Sequence, residues 1–215
     1  MSSSDLAARR RGAGSGLAFV VSGPSGAGKN TAINRLLEST SGLVYSVSHT
    51  TRSPRRGERD GVDYHFVSTV EFNRMVSAGE FIEYVNYLGD HYGTSKGELA
   101  RLVERGLDIV LNIDTQGACT LRRIGVAGVD LVFVFFAPPS LDRLGERLRA
   151  RGSEDEPAIA ERLRVASREI ETLRTFDYLV INDAIENAVR ELGAIVEAER
   201  LRVLSVESNA IALSP

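Results

Sequence analysis

The sequence predicts an α/β fold with a mostly parallel central sheet flanked by helices. Strand-like apolar runs alternate with helix-like stretches along the chain, an order typical of parallel sheets. The runs at residues 17–22, 107–113 and 131–136 have the composition of buried core strands. A glycine-rich turn follows the first run directly and leads into a helical stretch at about residues 29–38.

The remaining elements follow from local signals. A fourth strand is predicted at residues 178–181, before a long helix that runs toward residue 200. Pro157 fits the first turn of a helix that runs to about residue 174, and Gly106 and Gly125 fit helix ends. Three helix starts have the spacing of a capping box or its aspartate analogue: Ser68 with Glu71, Ser95 with Glu98, and Asp183 with Glu186.

The length of the chain and its local amino-acid composition indicate one domain with a smaller lobe. The 215 residues suit a single core, which we place at residues 17–202. Residues 44–100 are richer in Tyr, Thr, Ser and His and have shorter apolar runs, so we expect an inserted lobe there. Residues 1–16 and 203–215 are predicted to be tails.

Composition excludes several classes of protein. The net charge of −3 argues against a general nucleic-acid binder, because such proteins usually carry a basic surface. Cys119 is the only cysteine, so neither an intrachain disulfide nor a cysteine zinc cluster can form. No apolar run approaches the length of a membrane span, and no apolar segment follows the N-terminal arginines as a secretory signal requires. We therefore predict a soluble, cytoplasmic protein.

The segment GPSGAGK at residues 23–29 has the glycine spacing of a phosphate-binding loop. Glycines allow successive backbone N–H groups to face one anion, and the following helix N-terminus adds partial positive charge. Only Lys29 and Lys96 are lysines, and Lys29 lies where such a loop places its phosphate-binding lysine. A simple strand-to-helix turn is the alternative, which the strand before and the helix after make less favourable.

Two further arginine groups suggest anion binding. Arg52 and Arg55 lie in a polar segment at residues 48–58 and offer planar forks for a second phosphate. Arg143, Arg147 and Arg151 are spaced four apart on one predicted helix, where like charges repel unless an anion joins them. From the residues alone, each group could equally be a solvated polar surface.

At this point the sequence resembles the guanylate kinase family over about residues 17–200. The resemblance is carried by eight segments in order: GPSGAGK at 23–29, SVSHTTRSPRRGE at 46–58, GVDYHF at 61–66, FIEY at 81–84, HYGTS at 91–95, APPS at 137–140, RARG at 149–152 and IND at 181–183. It implies a P-loop kinase fold with an inserted GMP-binding lobe at about 44–100 and a helical lid at about 143–174. It also implies transfer of the ATP γ-phosphate to GMP with Mg²⁺.

The resemblance also implies roles for individual residues. For ATP it implies the loop and adenine-side residues Gly23, Pro24, Ser25, Gly26, Ala27, Gly28, Lys29, Asn30, Thr31, Asn182 and Asp183. For GMP it implies Ser48, Arg52, Arg55, Tyr64, Glu83, Tyr92, Thr94, Asn112 and Asp114. The catalytic set by resemblance is Lys29, Arg52, Arg147, Arg151 and Arg162. A carboxylate such as Glu83 can accept from both N1–H and the exocyclic amine of guanine, a donor pair that adenine lacks.

Two positions depart from the family pattern. Asn30 stands where a Ser or Thr hydroxyl usually helps to hold Mg²⁺, and Asn112 stands where the family has an acidic residue. Mg²⁺ is therefore expected to be held mainly by nucleotide phosphates and water, with Asn30 and Asn112 as possible ligands. The departures leave open a binding module with weakened or lost catalysis, and a kinase for another phosphorylated acceptor is a third reading. The sequence does not indicate the oligomeric state.

Overall fold

The computed structural model describes residues 16–87, 89–150, 152 and 155–202. The strands in this part of the chain are β1 Gly16–Ser22, β2 Leu43–Tyr45, β3 His49–Thr50, β4 His65–Phe66, β5 Phe81–Tyr87, β6 Asp90–Ser95, β7 Asp108–Asn112, β8 Val129–Ala137 and β9 Tyr178–Ile181. The helices are α1 Lys29–Ser39, α2 Thr69–Ser77, α3 Lys96–Glu104, α4 Thr115–Ile124, α5 Leu141–Ala150, α6 Glu156–Glu171 and α7 Ile185–Arg200, and a 3₁₀ turn spans Thr172–Thr175. None of these helices combines the length and apolarity needed to cross a membrane.

Five strands form the central sheet in the order β2-β7-β1-β8-β9, and each neighbouring pair is parallel. β1 lies in the middle, with Val20 opposite Leu111 on one side and Phe133 on the other. Every residue of β1 is buried, because helices cover both faces of the sheet. The predicted α/β class with a mostly parallel sheet is confirmed.

Alternate residues of β1 pack into two separate cores. Leu17, Phe19 and Val21 join a cluster that includes apolar residues of α1 and α7. Ala18 and Val20 point the other way, toward a cluster that includes apolar residues of α3 and α4. This two-sided burial holds the strand rigidly and fixes the position of the loop that leaves its carboxyl end.

A second sheet lies within residues 44–100. Its order is β4-β3-β6-β5, with β3 antiparallel to β6 and β6 antiparallel to β5. Helix α2 packs against it through Phe72, whose ring stacks on Phe81 with centroids 4.6 Å apart. This sheet forms one wall of the cavity described below.

The helix starts agree with two of the three predicted caps. Ser68 accepts from the Glu71 N–H at 3.1 Å, and Ser95 accepts from the Glu98 N–H at 3.4 Å. The prediction that Asp183 caps the last helix is wrong, since α7 begins after Ala184 and that residue makes no side-chain cap. Asp183 instead lies in the turn after β9, where its backbone carbonyl accepts from Arg147 at 3.3 Å.

Candidate active site

The carboxyl edge of the central sheet opens into a cavity of about 410 Å³ between the two sheets. The loop after β1, the residues after β7 and the helix α6 form its walls on the side of the central sheet, and the second sheet forms the opposite wall. Side chains at the ends of parallel strands meet at such an edge, so residues distant in sequence come together. The residues that line it from its two sides include Lys29, Asn112, Asp114, Ser48, Arg52, Arg55, Tyr64, Glu83 and Tyr92.

The loop at residues 23–28 joins β1 to α1 and needs glycine where it bends. Gly28 has φ +99°, and an added Cβ would lie 2.5 Å from Asn182 Nδ2. Gly23 has φ +130°, and a Cβ there would lie 2.2 Å from the Phe136 carbonyl oxygen. A side chain at either position would displace the loop from the strand ends that support it.

Lys29, the first residue of α1, folds its side chain back over the loop. Its ammonium donates to the carbonyl oxygens of Gly23 and, at 3.1 Å, Pro24. Desolvation in this position lowers the pKa of Lys29 to about 8, and the charges of Glu169 and Asp114 oppose that fall. A compact cation is thus held at the loop, close to where a phosphate group would bind.

Two of the predicted arginines converge on the same loop. Arg147 of α5 donates to the Asn182 carbonyl at 2.8 Å and to the Ala27 carbonyl at 3.4 Å. Arg162 of α6 donates to Ser25 Oγ at 2.9 Å. Arg143 points away and pairs with Glu146 at 2.7 Å on the exposed face, so the predicted arginine face does not act as one unit. Arg151 lies outside the described residues.

Asn182 contacts the loop at residues 23–28 through its side chain. Its side chain is buried, and Nδ2 donates to the Ala27 carbonyl at 2.7 Å. Oδ1 of the same amide is buried without a hydrogen-bond partner in the part of the chain that the structure describes. The amide therefore ties the end of β9 to the loop, while Asp183 is exposed beside it.

The second basic site lies across the cavity. Arg52 forms a bidentate ion pair with Glu58, with bonds of 3.0 and 2.9 Å, and its guanidinium lies 5.4 Å from the centre of the Tyr64 ring. Tyr64 meets Tyr92 edge to face with ring centroids 5.9 Å apart. Arg55 is exposed, and its charge, like that of Arg52, helps to lower the pKa of Glu58, so the site presents two guanidinium groups beside two phenol rings.

A buried carboxylate lies deeper in the second sheet. Glu83 is 4% exposed, and its Oε1 accepts from Thr94 Oγ1 at 2.6 Å. Its Oε2 has no hydrogen-bond partner among the described residues. Desolvation raises the pKa of Glu83 to about 7. An acceptor left without a donor in a cavity wall is suited to a ligand that brings N–H groups.

The two residues that depart from the family pattern contact each other. Asn112 Nδ2, at the end of β7, donates to Asn30 Oδ1 in α1 at 2.8 Å. Next along the chain, Asp114 caps α4, since its Oδ1 accepts from the N–H groups of Gln116 and Gly117 at 2.7 and 3.0 Å. This part of the cavity therefore presents oxygen atoms beside Lys29.

Sequence reasoning did not assign a role to several residues that shape this cavity. Glu58 orients Arg52, Asp90 and Glu169 line the wall, and Gly117 leaves room for Glu83, because a Cβ there would lie 2.7 Å from Glu83 Oε2. The sequence held a signal for Glu169, because it follows Arg162 by seven residues and therefore lies on the same helical face. Glu58 lies in the segment at residues 46–58 that carries the resemblance, and nothing local marked Asp90 or Gly117.

A glycine-rich loop that holds a lysine at the carboxyl edge of a parallel sheet defines a P-loop nucleotide-binding protein. A family profile described as guanylate kinase matches residues 16–199. This chain belongs to the guanylate kinase family.

Similar proteins span nearly the whole chain. The guanylate kinase of Symbiobacterium thermophilum is 44% identical over 189 residues, covering 88% of each chain. That of Chromohalobacter salexigens is 40% identical over 194 residues, covering 90% of this chain and 89% of the relative. The crystal structure of guanylate kinase from Anaplasma phagocytophilum superposes with a TM-score of 0.73 at 34% identity, covering 89% of each chain.

Proposed function

We propose that this protein transfers the γ-phosphoryl group of ATP to GMP, forming ADP and GDP. The observation that carries the proposal is one cavity with a phosphate loop on one wall and, on the other, a basic site beside a buried, half-satisfied carboxylate. A P-loop alone would support any nucleotide-binding activity. The second wall adds a place for an acceptor that carries both a phosphate and hydrogen-bond donors.

The acceptor is proposed to be GMP because of the chemistry of Glu83. Its Oε1 accepts a hydrogen bond from Thr94. We propose that the same carboxylate also accepts from the N1–H and the exocyclic amine of guanine. Adenine offers no such pair and would leave a buried carboxylate unpaired. We propose that the acceptor phosphate binds at Ser48, Arg52, Arg55, Tyr64 and Tyr92, and that Asn112 and Asp114 lie on the guanine side.

On the donor side, we propose that residues 23–31 hold the phosphates of ATP. Backbone N–H groups and Lys29 would bind the β- and γ-phosphates, and Asn182 and Asp183 would lie near the base. An oxygen of the GMP phosphate forms the new bond to the γ-phosphorus, while the bond from that phosphorus to the bridging oxygen of ADP breaks. Because the acceptor oxygen is already anionic, no strong base is needed.

Positively charged groups would lower the barrier for this transfer. The migrating phosphoryl group spreads negative charge over its oxygens, and fixed guanidinium groups stabilise that charge. Arg147 and Arg162 are positioned at the loop by the bonds to Asn182 and Ser25. We propose that they act together with Lys29 and Arg52, and that Arg151 completes the set.

The oxygen atoms near Lys29 suit Mg²⁺, a hard cation. Asn30 Oδ1 already accepts from Asn112, which leaves the second lone pair of that oxygen for a direct bond to the ion. No cluster of three His, Cys, Asp or Glu side chains occurs within the described ranges. We therefore propose that phosphates and water hold Mg²⁺, with Asp114 as a water acceptor; the ion would neutralise charge on the β- and γ-phosphates.

Two segments are proposed to move during turnover. The lobe at residues 44–100 and the lid at 143–174 carry opposite walls of the cavity, so their approach would expel water from the site. Small-angle scattering should show a smaller radius of gyration with both nucleotides than without them. Identical profiles would contradict the closure.

The metabolic role that corresponds to this phosphoryl transfer is cytoplasmic purine nucleotide metabolism, through recycling of GMP.

A coupled assay tests the function directly. ADP formation should be measured with ATP, Mg²⁺ and each of GMP, AMP, CMP and UMP. Turnover with GMP far above AMP supports the proposal. Tight GMP binding without turnover would instead support a binding module, and turnover with another monophosphate would indicate a different acceptor.

A further inference from the structure

Glu169 is an acidic residue buried beside the phosphate loop. It lies in the last turn of α6, is 7% exposed and lines the same cavity as Lys29 and Asp114. Its Oε2 is buried with no hydrogen-bond partner in the described part of the protein. Buried glutamates are rare unless they are paired, so the burial of Glu169 with an unpaired oxygen calls for a physical reason.

Packing does not supply that explanation. α6 already joins α5 through apolar contacts of Ile159, Ala166, Leu144 and Leu148. An apolar side chain at position 169 would avoid the cost of desolvating a carboxylate. Burial raises the pKa of Glu169 to about 7, against the attraction of Lys29 and with the repulsion of Asp114.

The opposite charge that acts on Glu169 belongs to Lys29, which lines the same cavity. The Lys29 ammonium uses two donors on the Gly23 and Pro24 carbonyls, and an ammonium has three. Attraction to Glu169 acts on it through space, without a hydrogen bond between the two groups. The ammonium thus lies in one cavity with its own loop and with a carboxylate carried by α6.

We propose that Glu169 is a positioning residue whose ionised carboxylate holds the Lys29 ammonium for phosphoryl transfer. The inference rests on the proposed function, since it assigns a role within that reaction. Carried by α6, the carboxylate reaches the loop only when this helix is docked there by Arg162. Docking of the helix would thereby complete the charge arrangement around the lysine.

The main test is a comparison of Glu169→Gln with wild type at saturating ATP, GMP and Mg²⁺. The variant keeps the shape of the side chain and removes its charge. We expect kcat to fall about tenfold, equivalent to about 1.4 kcal/mol, while KM for GMP stays within twofold. Glu161→Gln is the control, because Glu161 lies on the same helix but is exposed and paired with Arg164.

Stability should change in the opposite direction. Because Glu169 Oε2 is buried without a hydrogen-bond partner among the described residues, Glu169→Gln should leave Tm at pH 8 equal or higher, whereas a merely structural residue would lose Tm and activity together. Parallel losses of kcat, Tm and GMP affinity in Glu169→Gln would overturn the proposal. So would a variant with wild-type kcat.

The pH profile adds an independent readout. If the ionised form is needed, wild-type kcat should rise through about pH 7, and Glu169→Gln should lack this limb. The charged groups that act on Glu169 are Lys29 and Asp114, and Arg162 of the same helix lines the same cavity. Glu83 has a similar pKa, so saturating GMP and the Glu169→Gln comparison are needed to assign the limb.

The outcomes separate the two proposals. A wild-type protein that forms no ADP with GMP contradicts the proposed function. An active wild type whose acidic limb survives unchanged in Glu169→Gln contradicts only the role of Glu169. Glu169→Asp, which keeps the charge on a shorter side chain, should retain part of the limb.

Discussion

Asn112 Nδ2 donates a 2.8 Å hydrogen bond to Asn30 Oδ1, so the two amides that depart from the family pattern form a single pair. The bond joins the end of β7 to the first turn of α1. Two neutral amides are thus joined at positions 112 and 30, where the family pattern has an acidic residue and a hydroxyl, respectively. The two departures are therefore coupled, and each should be interpreted in the presence of the other.

Asn112→Asp should raise turnover at limiting Mg²⁺. A carboxylate would add negative charge near the metal, and the Asn30 amide can rotate so that its NH₂ group donates to it. We expect an increase of about two- to fivefold, as for a partly exposed charge interaction. The measurement is kcat against Mg²⁺ concentration, for Asn112→Asp and for Asn30→Ser. Unchanged curves for both variants would show that the pair does not limit metal use.

Glu83→Gln should weaken GMP binding by roughly a hundredfold, since a hydrogen bond to a charged group contributes up to about 3 kcal/mol. The amide would also turn a donor toward the guanine donors. Calorimetric titration with GMP gives the affinity. Glu80→Gln, an exposed change in the same region, is the control and should match wild type.

The same variant should stabilise the protein without nucleotide. The folded-state pKa of Glu83 is raised to about 7, above the ordinary 4.5. The unfolded chain therefore binds fewer protons between these values, and this residue lowers stability as pH rises from about 4.5 to 7. The gain in Tm for Glu83→Gln should be larger at pH 8 than at pH 5. A loss of Tm at pH 8 would contradict the burial argument.

Gly117→Ala should impair the acceptor site through Glu83. The new Cβ would lie 2.7 Å from Glu83 Oε2, so the carboxylate must shift. We expect KM for GMP to rise about tenfold, which corresponds to about 1.4 kcal/mol, with KM for ATP unchanged. Gly193→Ala is the matched control, because it is also helical but its Cβ would meet Leu36 at an ordinary 3.7 Å. Equal KM values for the two variants would remove the proposed link between Gly117 and Glu83.

Arg147→Ala should lower kcat by about a thousandfold, a typical effect of losing an arginine that stabilises the transferring phosphoryl group. Its guanidinium contacts the Ala27 and Asn182 carbonyls and lines up with the loop. Arg143→Ala, one turn earlier, removes only an exposed pair with Glu146 and should change kcat less than twofold. Similar losses in both variants would mean that the whole arginine face matters.

The strand–loop–helix order predicted for residues 17–38 is present in the structure, while the assignment of residues 23–31 to ATP stays a prediction. Residues 23–31 are local, so their glycine spacing and flanking elements can be read along the chain. Arg147 and Arg162 were also predicted, although only the structure shows that Arg143 turns outward to Glu146. Arg143 and Arg147 are four residues apart and so lie on the same face of the helix. Only the packing of that helix decides which of the two side chains contacts the loop.

By itself, the sequence determined the fold class, the phosphate loop and its lysine, because apolar runs and glycine spacing act over a few residues. Tertiary structure alone decided the pairing of Asn30 with Asn112, the space that Gly117 leaves for Glu83, and the presence of Glu169 and Lys29 in one cavity. These relationships join positions 34 to 140 residues apart. They depend on how the two sheets and α6 pack together, and this packing cannot be predicted from the local sequence.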